Sequence, residues 1–70
     1  MLIIFNNCSV INTENVCRMT TGGEVISFYL TSGESYHFAF ENAAKMAQSF
    51  EHICRCYSME NKICRVDCKG

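Results

Sequence analysis

Four of the six cysteines fall in the last seventeen residues, as Cys54-Arg55-Cys56 and, seven residues further on, Cys64-Arg65-Val66-Asp67-Cys68. Two pairs of thiols joined by a short connection can hold a tetrahedral zinc ion through four sulfurs, which makes Cys54, Cys56, Cys64 and Cys68 the candidate metal ligands. His52, just upstream, can replace one sulfur. The spacings are Cys-x-Cys and Cys-x3-Cys, whereas zinc knuckles use Cys-x2-Cys. If a helix runs through Cys56, then Cys54 and Cys56 point about 200° apart around it and cannot both reach one ion. A four-sulfur site therefore requires the helix to stop near Ile53.

The plainer reading treats the cysteines as small apolar residues, as buried free cysteines mostly are. Cys17 and Cys54 are expected to be buried in this way, with Cys8 beside them. Cys56, Cys64 and Cys68 are expected nearer the surface, where they could form a disulfide within or between chains. A cysteine nucleophile needs a base in hydrogen-bond reach and a group to orient it. His37 and His52 are the two histidines available. His37 lies between Tyr36 and Phe38 on an expected strand, where a surface position is the simpler account. So short a chain leaves little room for a substrate cleft, and we expect no catalytic residues. Gly22-Gly23 lacks the Gly-Lys-Ser/Thr that would make a phosphate loop and opens a strand instead of a helix.

The elements that must position these residues are legible from alternation and turns. Leu2 to Phe5 and Cys8 to Ile11 are short apolar runs around Asn6-Asn7, a pair that tolerates the positive φ angles of a tight hairpin. After a turn at residues 12–15, Val16 to Thr20 reads as a third strand. Thr21-Gly22-Gly23-Glu24 turns the chain into Val25 to Thr31, where Ile26, Phe28 and Leu30 face the core. Ser32-Gly33-Glu34 leads to Ser35 to Phe40, with Tyr36, Phe38 and Phe40 on one face and His37 and Ala39 on the other. Asn42 can cap a helix in which Ala43, Met46, Ala47, Phe50, Ile53, Cys54 and Tyr57 form an apolar stripe. Cys64, Val66 and Cys68 then alternate with Arg65 and Asp67 as a last strand would, although Cys64 and Cys68, four apart, would equally share one face of a helix. The expected fold is α+β: one domain over 1–70, an antiparallel β-meander of four to five strands over 1–40, one helix over 42–57 packed on one face, and a Cys-rich strand or extension over 58–70.

Size and charge bound the function. A core of seventy residues supplies little net stability without a staple or a partner subunit, so a metal, a disulfide or self-association is expected. The net charge of −1 gives neither the positive field of a nucleic-acid binder nor the dense negative one of a DNA mimic. The Met1-Leu2-Ile3-Ile4-Phe5 run is too short for a membrane span or a signal core. These features point to the cytoplasm, where thiols stay reduced. Were the domain secreted, six cysteines would instead permit three disulfides in fifteen pairings.

The segments Ile11-Asn12-Thr13-Glu14-Asn15-Val16, Gly23-Glu24-Val25-Ile26 and Leu30-Thr31-Ser32-Gly33, with the Ala-rich helix from 42, resemble small orphan accessory proteins of bacterial phages and prophages. The resemblance implies a non-enzymatic protein, frequently dimeric, that binds and modulates a host or phage macromolecule; inhibitors of host defence are one such class. The functional expectation is thus a small interaction protein with a protein partner, a homodimer without a cofactor, acting in the host cytoplasm if phage-encoded. The rival from another class is a zinc module built on the C-terminal cysteines, in which Arg55, Lys62, Arg65 and Lys69 contact nucleic acid.

Overall fold

The structure is a computed structural model that describes residues 1–69. Those residues make an α+β fold of six strands and one α-helix: β1 (Leu2–Phe5), β2 (Ser9–Asn12), β3 (Val16–Gly22), β4 (Val25–Leu30), β5 (Ser35–Ala39), α1 (Ala43–Ser58) and β6 (Ile63–Val66). Of the expected 58–70 tail, Gly70 lies outside the described residues.

Local chemistry sets the turns. Asn6 and Asn7 both hold φ near +55° (53° and 55°), the paired left-handed conformation of a type I′ turn, and the Cys8 N–H closes it on the Phe5 carbonyl at 2.9 Å. Asparagine accepts this conformation at little cost because its short polar side chain bonds locally. Asn12 ends β2 and accepts the Glu14 N–H through its side chain, capping a single 3-10 turn at Thr13–Asn15. Gly23 supplies the positive φ between β3 and β4.

That 3-10 turn divides the expected meander. Strands β3, β4 and β5 form one antiparallel sheet in sequence order, while the first hairpin leaves it and makes a second sheet, ordered β2-β1-β6. The last strand lies parallel to the first, pairing Leu2 with Ile63 and Phe5 with Val66. Val66 and Cys64 point inward and Arg65 and Ile63 outward, the alternation read from the sequence. The first strand is therefore the centre of its sheet, and β2 and the last strand, β6, are its edges.

The two sheets meet through their apolar faces. Phe5 stacks on Phe38 with centroids 3.8 Å apart and meets the edge of Phe28 at 5.8 Å. Ile3, Ile11, Ile26 and Phe40 complete this layer, and Ile53 and Cys56 of α1 close it against Cys64 and Val66. Each such buried side chain contributes roughly 1.5–3 kcal/mol of transfer free energy. Asn42 caps α1 as expected, accepting the Lys45 N–H at 2.8 Å. The helix presents a different stripe from the expected one: Ile53 and Cys56 are buried and Met46, Ser49 and Phe50 half-buried, while Ala43, Ala47, Cys54 and Tyr57 are exposed. Over β6 it is Cys56 that packs against Cys64, while Tyr57 turns to the rim of the groove between α1 and β3.

A second link joins the sheets beyond β6. The Lys69 N–H bonds the Ala39 carbonyl at 2.8 Å, tying the segment after β6 to the end of β5. One residue earlier, Asn6 grips the same segment: its Oδ1 accepts the Cys68 N–H at 2.8 Å and its Nδ2 donates to the Cys68 carbonyl at 3.1 Å.

Candidate functional sites

The helix runs unbroken to Ser58, so Cys54 and Cys56 lie on different sides of it, about 200° apart. Cys56 turns inward to β6. Cys54 is exposed and lines an apolar groove between α1 and β3, together with Met1, Val16, Met19 and Tyr57. Cys68 is half-buried beyond β6, where Asn6 Nδ2 lies 3.4 Å from its sulfur. The structure thus brings together Cys56 and Cys64 of the four expected ligands and leaves Cys54 and Cys68 outside their cluster.

His52 takes the third place. It is one helical turn before Cys56 and shares its face, with Nδ1 at 3.9 Å and Nε2 at 3.8 Å from the Cys56 sulfur. Cys64 reaches the same point from β6, and one donor atom from each of His52, Cys56 and Cys64 lies within 4.8 Å of the others. Cys56 and Cys64 are buried and the imidazole is exposed, so the ring forms the outer rim of the cluster. Burial, with the hydrogen bond and the charge of Cys56 adding to it, pushes the Cys64 thiol up to about 12. The burial expected from sequence is reversed: Cys8, Cys17 and Cys54 are exposed, whereas Cys56 and Cys64 are the enclosed pair. Cys17 sits at a bulge between Val16 and Arg18, which turns it out of the strand alternation and lets its thiol donate to the Tyr29 carbonyl at 3.4 Å.

A serine–histidine pair escaped the sequence reading. Ser27 and His37 are directly opposite in the β4–β5 register, and Ser27 Oγ lies 2.7 Å from His37 Nδ1. The other ring nitrogen faces Ser35 Oγ at 3.4 Å, and no carboxylate bonds the ring among the described residues. The orienting acid of a hydrolytic triad is replaced by a second hydroxyl. The alternation that put His37 outward held the signal for this pair, since Ser27 falls on the same face once the register is known.

The outer faces of the two sheets differ in kind. Outside β3-β4-β5 lie Arg18, Thr20, Ser27, Tyr29, Ser35 and His37, with the Arg18 guanidinium 5.3 Å above the Tyr29 ring. Outside β2-β1-β6 the register places Val10 beside Ile4 and Leu2 beside Ile63. Val10 is 55% exposed, Ile63 49% and Leu2 38%. Arg65 borders this apolar face and donates to Asn7 Oδ1 at 2.9 Å. The remaining late cations are dispersed, with Arg55 on the solvent side of α1 and Lys69 beyond β6. No helix among the described residues is long and apolar enough to cross a membrane. No protein-family model matches the chain, and no curated protein or solved structure is found to be similar to it.

Proposed function

We propose that this protein is a non-enzymatic interaction module that docks a protein partner on the outer face of the β2-β1-β6 sheet. The observation that carries this reading is the contiguous apolar patch of Leu2, Ile4, Val10 and Ile63, set on an antiparallel hairpin and its parallel neighbour. Exposed apolar residues scattered singly are ordinary, but neighbours in register present one surface whose desolvation favours association. The polar outer face of the other sheet lacks that drive. Self-association is part of the reading, because β2 is an edge strand carrying Val10 and can pair with β2 of a second copy. The resemblance to phage accessory proteins adds the class of partner, a host or phage macromolecule that the module modulates.

The test is the oligomeric state, by light scattering across a wide concentration range, of the wild-type chain and of Val10→Lys and Ile63→Lys. The wild type is expected to be a dimer and both variants monomers with unchanged circular dichroism. A monomeric wild type removes self-association. Photo-crosslinking from position 10 in cells then decides the face itself: a discrete adduct that Ile63→Lys abolishes retains it, and the lack of any adduct rejects it.

A further inference from the structure

We propose that His52, Cys56 and Cys64 form a zinc site with an open fourth position on its solvent side. Three soft or borderline donors from two elements far apart in sequence converge there, without any contribution from Cys54 or Cys68. With Zn–S near 2.3 Å and Zn–N near 2.0–2.1 Å, a tetrahedral ion sets its ligands roughly 3.6 Å apart for nitrogen to sulfur and roughly 3.8 Å for sulfur to sulfur. The His52 nitrogens already stand 3.8 and 3.9 Å from the Cys56 sulfur, close to the nitrogen–sulfur spacing such an ion requires. Placement of two ligands four residues apart on one helical face is a recurring way to hold zinc. A histidine and two cysteines with a free position is also a known protein donor set for zinc that retains a water.

Packing alone accounts for small buried thiols, but it leaves the imidazole at the rim unexplained. A dication placed between the two sulfurs is bound by them as thiolates, and binding releases the two thiol protons to solvent. Coordination would pin the second half of α1 to β6, a contact otherwise made by Ile53, Cys56 and Val66. The His52 side of the ion is left for water or for a donor from a bound partner.

Zinc is titrated into the full chain, kept reduced with a phosphine, in competition with a chromophoric chelator. We expect one equivalent to bind the wild type, Cys54→Ser and Cys68→Ser alike. His52→Gln, an exposed change that leaves the core intact, is expected to weaken binding at least about tenfold, since even second-shell losses at zinc sites cost 10–100-fold. Cobalt(II) in place of zinc should show a thiolate-to-cobalt charge-transfer band, lost in Cys64→Ser. Failure to bind stoichiometric zinc, wild-type affinity in His52→Gln, or loss of binding in Cys54→Ser or Cys68→Ser would each overturn the site. Because the outer sheet face plays no part in this titration, its result is independent of the docking reading.

Discussion

Cys64 is the most enclosed thiol of the chain, 1% exposed, with Cys56 beside it and His52 at the rim. Its ordinary ionisation near 9.0 is displaced to about 12 in the folded, metal-free chain. Above about pH 9 the unfolded chain has released this proton while the folded chain still holds it, so the unfolded state binds fewer protons and stability falls as pH rises. The loss approaches roughly 1.4 kcal/mol per pH unit for one such group and ends near the folded value. The urea midpoint of the wild type should therefore drop between about pH 9 and about pH 11 more steeply than that of Cys64→Val, which has no proton to lose. Equal slopes in the two proteins would show that Cys64 ionises as freely folded as unfolded. Alternation with Arg65 and Asp67 sets Cys64 and Val66 on one face of β6, but the parallel place of that strand beside β1, which encloses the face, leaves no mark in the cysteine spacing.

At the level of elements, α1 shows how one apolar helix can be read in two phases. Met46, Phe50 and Ile53 belong to either; the choice falls at the next turn, where Cys56 and Tyr57 follow Ile53 by three and four residues. The sequence favours the larger aromatic, and the packed structure takes the cysteine because β6 closes over it. The energetic anchor moves accordingly. Phe50 is only half-buried, so its truncation costs less than the roughly 3–5 kcal/mol of a fully buried phenylalanine. Ile53, 3% exposed, should lose about 2–5 kcal/mol on Ile53→Ala, whereas Tyr57→Ser, at a residue 67% exposed, should stay within about 0.5 kcal/mol. Chemical denaturation of the two variants checks this, and a large loss in Tyr57→Ser would restore the expected stripe. The cap at Asn42, the strands β4 and β5 and the turns between them were all legible, because propensity, alternation and turn residues agree there.

On the scale of the whole molecule, what the sequence hid is non-local. Strands of four residues such as β1, β2 and β6 carry too little pattern to announce their partners, and the parallel pairing of β1 with β6 has no turn to mark it. Asn6 concentrates that closure in one side chain: it holds a left-handed turn and clamps the backbone of Cys68, 62 residues away, by two hydrogen bonds. Asn6→Ala strains the turn and leaves the Cys68 backbone without its side-chain partner, an expected loss of about 2 kcal/mol or more. Asn6→Gly relieves the strain but not the loss of the clamp, and should be intermediate. Thermal melts of the two variants order them, and an alanine variant as stable as the glycine one would remove the turn from the account.

Pairing of the first strand with the last also governs how the chain is made. A ribosome delivers Leu2–Phe5 long before Ile63–Val66, so during synthesis Ile3 and Phe5 wait with one side of their strand unfilled and without the helix that covers the core. The β3-β4-β5 meander can assemble as it emerges, since its contacts are local, but the other sheet cannot close until β6 is free of the tunnel. For that interval the nascent chain carries an open, sticky strand edge. Slow translation through residues 40–66 would lengthen the exposure, making chaperone engagement at the first strand a cost built into the topology.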